Sequence, residues 1–387
     1  MFTFSRNSRS ILGNWWWTVD KTLLMLIGTL VFIGVFLNFS AGPAVANRIG
    51  IDSFHFVKRQ LVFIPLAVGL MLFLSMQNLK TIRRIAIVGY AGTIFLMILT
   101  MFWGEEIKGA TRWIRIFGFS LQPSEFIKPT FAVVAAWLFD GQKRYQDFPG
   151  NLLSMSLYAF TVSLLLMQPD VGMTIVVSVI WLFEFFLAGL SMKFIAVLGV
   201  AFVGMIVMAY FTFDHVHTRV DQFLASGGEL SYQVKKSMEA FHNGSLFGMG
   251  PGEGVVKLNI PDAHTDFIFA VAAEEYGMLL CLLIVAVFAV IVIRSMLISL
   301  KDNNLFIILS AAALSASFGF QGIINMASTL HLMPTKGMTL PFISYGGSSL
   351  LATALGMGML LAITRRNVHA EDKDCLLYTS DAADDLT

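Results

Sequence analysis

Long apolar stretches, separated by short polar links, make up most of the chain. A helix needs about 20 apolar residues to cross the hydrocarbon core of a bilayer. The pattern therefore predicts ten transmembrane spans, of which the fourth and fifth are short. They run approximately over 22–42, 56–76, 84–103, 126–139, 152–168, 171–189, 193–212, 267–293, 305–327 and 345–364. This predicts an all-α, polytopic integral membrane protein with about ten transmembrane helices and one long extracytoplasmic loop.

The polar segments divide the chain into three parts. Residues 1–21 form a cytoplasmic N-terminal segment and residues 22–366 the ten-span membrane domain. Residues 367–387 differ abruptly in composition, and we expect a disordered tail of non-native origin. Total Lys and Arg counts are nearly equal for inner and outer segments, but the compact basic links favour both termini inside. The long 213–266 loop and the 104–124 loop then share the outer face.

Composition narrows the class of protein further. Hydrophobic residues make up 56% of the chain and charged residues 13%, which is far too apolar for a soluble domain. The net charge of +1 provides no basic field for nucleic acid, so we expect no nucleic-acid partner. The two cysteines, Cys281 and Cys375, match neither a disulfide framework nor a metal-site spacing.

An apolar stripe predicts one helix inside the long loop. Leu230, Val234, Met238 and Phe241 recur at steps of four, four and three residues, which places them on one helical face. Such a helix could lie on the membrane surface or pack against the rest of the protein, and the sequence leaves both alternatives open.

The segment Pro261–Asp266 combines acids with a histidine where the long polar loop ends. Asp266 directly precedes an apolar run, so its carboxylate could act as a general base at the membrane boundary. It could equally cap the helix that follows, because capping aspartates satisfy free amides at helix starts. His264 together with Asp262 or Asp266 could bind a metal, although one such cluster is weak support.

Two further groups of charged residues lie before or at the start of the fourth predicted span. Glu125 and Lys128 are three residues apart and enter a membrane span, where charges usually face a cavity or a partner. An ordinary first-turn ion pair is the alternative. Arg112, next to Trp113, suits phosphate oxygens, but it could also extend to lipid headgroups.

Two glycine- or proline-containing links carry the remaining candidates. Asp170 follows Pro169 between two spans, in a simple tight turn or at a functional break. Lys336 and Ser344 lie in a glycine-rich link whose composition permits close helix approach or a broken helix at a cavity. Gly248–Gly254 lacks the ending of a phosphate-binding loop, and we expect it to be a flexible loop.

Five segments together resemble the SEDS family (shape, elongation, division and sporulation), whose members polymerise peptidoglycan glycan strands. The similarity extends in family order over residues 20–366, and it resembles the division-type branch more than the elongation-type branch. The matching segments are Lys108–Trp113, Gln122–Lys128, Gln168–Gly172, Pro261–Gly277 and Pro334–Ser349.

The resemblance implies an activity and a set of site residues. The reaction would join lipid II units into β-1,4 glycan and release undecaprenyl pyrophosphate. Asp266 would be the essential catalytic residue and would take the proton from the 4-hydroxyl of the acceptor sugar. The substrate-binding candidates are Arg112, Glu125, Lys128, Asp170, His264, Lys336 and Ser344.

The resemblance also suggests cofactors, partners and a location. A divalent cation, Mg²⁺ or Mn²⁺, would assist the leaving pyrophosphate, with Asp266 and Glu125 as candidate ligands, and no organic cofactor is expected. The expected partners are lipid II, a class B penicillin-binding protein that acts as transpeptidase, and other divisome membrane proteins. The protein would lie in the bacterial inner membrane at the division septum. A lipid II transporter and a non-catalytic divisome scaffold are the alternatives, because intramembrane charges and broken helices also suit a transporter.

Overall fold

The protein's structure, a computed structural model, describes most of the chain. The predicted tail, 367–387, lies outside the described residues, as does Leu230 of the predicted apolar stripe. The described residues are 11–107, 110–116, 119–145, 147–224 and 232–365.

Ten long helices coincide one by one with the ten predicted spans. By length and hydropathy, six of the described helices are able to cross a membrane, and three shorter helices are similarly apolar. The tenth, α5, carries more polar residues. The helices are α1 (Ile11–Thr18), α2 (Lys21–Arg48), α3 (His55–Ser75), α4 (Leu79–Trp103), α5 (Ser124–Arg144), α6 (Gly150–Met167), α7 (Val171–Leu187), α8 (Met192–Thr212), α9 (Asp214–Leu224), α10 (Tyr232–Gly244), α11 (Ile268–Ser299), α12 (Leu305–Thr329) and α13 (Gly347–Ile363).

Helices α5 and α12 form the centre of the bundle. In α12, 78% of the most apolar stretch is buried, against 28% in α3 and in α4, which therefore present most of their surface to lipid. Small residues line the central contacts: a Cβ on Gly322 would lie 2.7 Å from the ring of Phe288, and one on Gly319 would lie 2.9 Å from Val292. Because lipid is as apolar as a side chain, such close backbone approach stabilises helix packing within a membrane.

A small antiparallel sheet, which the sequence did not predict, connects α4 to α5. Its strands are β1 (Glu105–Ile107), β2 (Ala110–Ile116) and β3 (Phe119–Leu121), in the order β1-β2-β3. The β-branched and aromatic residues of β2 favour an extended backbone. Two of the strands are only three residues long, so their pattern could not be separated from that of a loop.

Helix α11 is broken at Gly277, and a loop completes its hydrogen bonds. Gly277 has φ 75° and ψ −174°, a backbone conformation that favours glycine. The freed carbonyls of Glu274 and Glu275 accept hydrogen bonds from the N–H groups of Met249 and Gly250, at 2.9 and 3.0 Å. Two N–H groups after the break donate back to the same loop. The break therefore leaves none of these four backbone groups unpaired.

Side chains of α11 also hold this loop. The glycine-rich segment Gly248–Gly254, which we expected to be a flexible loop, is therefore anchored to α11 by hydrogen bonds. The Glu274 carboxylate accepts hydrogen bonds from three consecutive N–H groups, of residues 255–257, at 2.7–2.9 Å. These groups open a short 3-10 helix, Val256–Asn259. The ammonium of Lys257 pairs with Glu275 and donates a 2.8 Å hydrogen bond to Ser40.

The predicted amphipathic helix is α10, and it packs against protein. Val234, Ser237, Ala240 and Gly244 are buried, whereas Met238 is exposed. A Cβ on Gly244 would overlap the backbone of α11, so the two helices are in direct backbone contact. Of the two alternatives left open by the sequence, packing on the protein is the one observed.

Candidate functional site

Segments that are far apart in sequence meet at one end of the bundle, which we call the site end. Strand β2 carries Arg112 to the start of α7, where Arg112 donates hydrogen bonds to the Gln168–Pro169 turn. The link between α12 and α13 contacts the Pro261–Asp266 segment, because the Ser344 hydroxyl donates to the Thr265 carbonyl at 2.5 Å. The 104–124 and 213–266 loops lie at the same end, because Arg219 of the second lies within electrostatic range of Arg112 of the first. That this end faces outward stays a prediction.

Asp266 lies beside a glycine of the α12–α13 link. Its Oδ2 would be 3.2 Å from a Cβ on Gly337, whose φ is +65°. The Asn325 amide, from α12, donates to the Asp266 carbonyl at 2.9 Å and to the Met338 carbonyl at 2.5 Å. The N-cap residue of α11 is Phe267, which makes no side-chain capping bond. Asp266 therefore does not occupy the N-cap position considered for it, and its backbone is held from α12.

Arg112 is fixed against the start of α7. Its Nε donates to the Gln168 carbonyl at 2.9 Å, another guanidinium nitrogen donates to the Pro169 carbonyl, and Nη1 lies 3.6 Å from Asp170. Asp170 caps α7 by accepting a hydrogen bond from the Met173 N–H at 3.2 Å. Arg112 is thus bound to protein rather than extended toward lipid headgroups. The positive end of the α7 dipole points to the same place.

Glu125 and Lys128 form a buried ion pair inside the bundle. Lys128 Nζ lies 2.7 Å from Glu125 Oε2 and donates to Gln321 Oε1 of α12 at 2.5 Å. The Gln321 amide continues the network to the Thr339 carbonyl at 3.1 Å and to the Ser349 hydroxyl at 3.2 Å. The predicted shared face of the pair is therefore observed, and the pair connects α5, α12 and α13.

A narrow cleft lies beside Lys128, between α5, α12 and α13. Polar groups of Gln321 and Ser317 share its lining with the apolar side chains of Leu314 and Met357. The cleft therefore combines a buried cation with apolar surface.

Lys336 extends across the first turn of α7. A Cβ on Gly172 would overlap the end of the Lys336 side chain and lie 2.6 Å from Nζ. The ammonium also contacts the Met338 sulfur at 2.9 Å. Lys336 therefore reaches the start of α7 only because residue 172 has no side chain.

Four charged residues of the site act on the Lys336 ammonium. Burial lowers the pKa of Lys336 to about 7. The carboxylates of Asp170 and Glu125 oppose this shift, and the positive charges of Lys128 and Arg112 add to it. An anionic ligand at this place would favour the charged ammonium.

Arg219 of α9 is a further cation at the site end that the sequence analysis missed. Its guanidinium donates to the Thr335 carbonyl at 3.2 Å. It lies within electrostatic range of Arg112, Asp266 and Asp170. An amphipathic helix in a loop gives no sign of which charged face it turns to the protein, so this residue could not be selected by pattern.

Gln321 and Asn325 were also missed, although the sequence did carry a signal. Polar amides four residues apart share one face of a helix, and within an apolar span such residues mark an interior polar contact.

His264 and Ser344 are held by aromatic contacts and by backbone groups. The His264 ring packs against Phe56 and Tyr345, with centroids 4.2 and 5.2 Å away. Burial lowers the pKa of His264 to about 4, so the ring is neutral at pH 7. Ser344 accepts a hydrogen bond from the Leu340 N–H at 2.8 Å and ties the link to the Asp266 segment. Their predicted part in substrate binding stays a prediction.

The fold and the site together define a class of protein. The chain is a multi-pass membrane protein with a charged site at one end of its helix bundle, which suits an anionic group attached to a membrane-embedded molecule. The cations of the site are Arg112, Lys128, Arg219 and Lys336, and its carboxylates are Glu125, Asp170 and Asp266.

Comparison with known proteins gives the particular family. The model of the FtsW/RodA/SpoVE family of cell cycle proteins matches residues 21–369. The chain belongs to this family, which is the SEDS family, and to its division-type branch.

Two curated relatives are both described as probable peptidoglycan glycosyltransferase FtsW. The protein from Caulobacter vibrioides is 45% identical over 364 residues, covering 94% of this chain and 93% of the relative. One from Escherichia coli is 34% identical over 358 residues, covering 89% of this chain and 85% of the relative.

Solved structures support the same fold. A chain from a peptidoglycan synthase complex that coordinates polymerisation and crosslinking superposes with a TM-score of 0.73 at 25% identity, covering 91% of this chain and 98% of that one. The rod shape determining protein RodA of Thermus thermophilus gives a TM-score of 0.65 at 26% identity, with coverage of 92% and 99%.

Proposed function

We propose that this protein is a peptidoglycan glycosyltransferase that polymerises lipid II into β-1,4 glycan strands for septal wall synthesis. The observation that carries the proposal is the group of cations at the start of α7, with Asp266 on a neighbouring segment. Family membership and the names of the curated relatives support it. An inverting glycosyl transfer from a lipid diphosphate needs these two parts: a base for the acceptor and positive charge for the leaving group.

In the reaction, Asp266 takes the proton from the 4-hydroxyl of the acceptor N-acetylglucosamine. The oxygen attacks the anomeric carbon of the donor muramic sugar, and the bond from that carbon to the diphosphate breaks on the opposite face. The configuration inverts to β, and the electron pair of the broken bond leaves with undecaprenyl diphosphate. Asn325 contributes by holding the Asp266 backbone against the Met338 segment.

The cations stabilise the leaving diphosphate. Lys336 carries a flexible ammonium group. Lys128 is held by Glu125 and Gln321, and Arg112 is anchored to the turn before α7, so these two add fixed positive charge. Glu125 orients Lys128 through their 2.7 Å contact. Preorganised charge of this kind stabilises the transition state because it needs no rearrangement as negative charge develops.

A divalent cation, Mg²⁺ or Mn²⁺, fits the site as an ion shared with the substrate. Within the described residues, no group of three or more His, Cys, Asp or Glu could hold a metal. Mg²⁺ commonly takes only one or two protein carboxylates and completes its shell with water and substrate phosphates. Asp266 or Glu125 would supply the carboxylate, and the ion would neutralise charge on the diphosphate.

The proposal extends to location and partners. The site end faces the extracytoplasmic side of the inner membrane at the septum, and the polymerase works with a class B penicillin-binding protein and other divisome membrane proteins. The similarity to a chain of a peptidoglycan synthase complex supports this arrangement. Co-purification of a transpeptidase with tagged protein in mild detergent tests it, and failure to recover one would contradict it.

The decisive experiment compares purified wild type with Asp266→Asn in polymerisation of lipid II. Removing a general base costs about 10²–10⁴-fold in rate. The matched control is Asp262→Asn, the same substitution in the same segment, at a residue with φ +54° that asparagine tolerates. Normal glycan synthesis by the Asp266 variant would refute the assignment. Movement of lipid II across sealed vesicles without any polymer would support a transporter instead.

A further inference from the structure

Gly172, the second residue of α7, lies directly beneath the Lys336 side chain. A Cβ built on Gly172 would overlap Cε and Cδ of Lys336 and come within 2.6 Å of Nζ, and these three atoms are its nearest neighbours. Backbone atoms are not among them, in contrast to Gly244 and Gly248, whose Cβ would overlap main-chain atoms of α11. The space above Gly172 is therefore occupied by one flexible side chain.

This geometry separates the position of Lys336 from the stability of the fold. The overlapping atoms are at the far end of a side chain with four rotatable bonds, so a methyl group would move the ammonium and leave the backbone in place. Gly172 has helical backbone within α7. Alanine is favoured over glycine within a helix, so the helix itself would tolerate the substitution.

The ammonium that would be moved belongs to the charged site. Lys336 lies in the combined field of Asp170, Lys128, Glu125 and Arg112, at the positive end of α7. Any displacement moves the Lys336 ammonium away from the start of α7 and from the other positive charges there.

We infer that Gly172 is a positioning residue: its missing side chain forms the slot through which Lys336 reaches the start of α7 and contacts the diphosphate of the lipid-linked donor. The inference rests on the proposed function and names a determinant of donor affinity within that site. Gly172 acts only through Lys336 and touches no substrate itself.

The test is a double-mutant cycle with purified full-length protein, measuring lipid II polymerisation and inhibition by inorganic pyrophosphate. Gly172→Ala and Lys336→Ala are each expected to lower kcat/KM by about 10- to 100-fold, the value of a hydrogen bond to a charged group. Each also weakens pyrophosphate inhibition. The double variant is expected to be no worse than Lys336→Ala, because the ammonium that the added methyl group would displace is already gone.

The control is Gly69→Ala, since a Cβ on Gly69 of α3 would meet no atom within 4 Å. It is expected to leave kcat/KM and pyrophosphate inhibition unchanged and to melt no lower than the wild type. Gly172→Ala is expected to melt no lower than the wild type, which separates a moved ammonium from a damaged fold.

Three outcomes would overturn the inference. They are wild-type activity of Gly172→Ala, additive losses in the double variant, and misfolding of Gly172→Ala that Lys336→Ala does not rescue. Misfolding that Lys336→Ala does rescue would support it, because the overlap would then be with Lys336. An inactive Asp266→Asn with a fully active Gly172→Ala would reject this inference and leave the proposed function standing.

Discussion

Removal of the Lys257 ammonium should destabilise the protein strongly, because it would leave a charge buried. The Lys257 and Glu275 side chains are 6% and 0% exposed. Lys257→Met retains most of the apolar stem but removes the ion pair with Glu275, the 2.8 Å bond to Ser40 and the 2.9 Å bond to the Gly252 carbonyl. Breaking a buried pair on one side costs about 3–5 kcal/mol. We expect the melting temperature to fall by at least about 5 °C.

The assay is thermal unfolding of purified protein in detergent, followed by intrinsic fluorescence. Lys257→Met with Glu275→Gln removes both charges and should recover at least half of the loss, because the unpaired carboxylate is gone. The matched control is Lys58→Met: Lys58 pairs with Asp52 at 2.6 Å, but both side chains are largely exposed. That pair should contribute nothing measurable. A Lys257→Met variant as stable as the wild type would show that no charge is buried there.

Three further predictions concern the break in α11, the histidine and the Asp266 support. Gly277→Ala should prevent recovery of folded protein, because residue 277 has a positive φ and its Cβ would overlap the Leu246 carbonyl. Gly69→Ala is the control and should be recovered normally, and equal yields of the two variants would contradict the prediction. The pKa of His264 is about 4 in the folded protein and 6.5 in the unfolded chain. Between these values only the unfolded chain binds the proton, so acidification to pH 4.5 destabilises the wild type. His264→Phe should lose less melting temperature over that range, and equal losses would refute the assignment. Asn325→Ala should lower kcat by about 10- to 100-fold through a misplaced Asp266, and an unchanged kcat would exclude this support.

Hydropathy predicted the membrane domain well because lipid imposes a length and a composition on each span. All ten spans are confirmed as helices, and the Pro261–Asp266 segment does end where α11 begins. The three strands before α5 were not predicted, since runs of three residues have no readable period.

The sequence selected most of the charged residues that the structure brings together, but it selected neither Arg219 nor the arrangement of the group. Lys128 was selected because charges that enter an apolar span are costly and need partners, and Arg112 because a guanidinium suits phosphate oxygens. Lys336 was selected as a cation of the glycine-rich link between two spans. No local sequence pattern showed that Gly172 makes room for Lys336, because Gly172 lies in α7 and Lys336 in the link between α12 and α13.

His264 illustrates the same limit. Its surroundings come from Phe56 and Tyr345, which are distant in the chain. Sequence spacing placed His264 next to Asp266, but it could not show that the ring packs against Phe56 and Tyr345.

The interruption of α11 at Gly277 bears on how the chain enters the bilayer. During synthesis, residues 245–250 emerge before the helix whose exposed backbone groups they satisfy. The hydrogen-bond partners are thus already present when the broken helix α11 reaches the membrane. No later helix has to pair these four backbone groups. Insertion of α11 is therefore coupled to docking of the preceding loop, so a change in that loop is expected to impair biogenesis before it impairs catalysis.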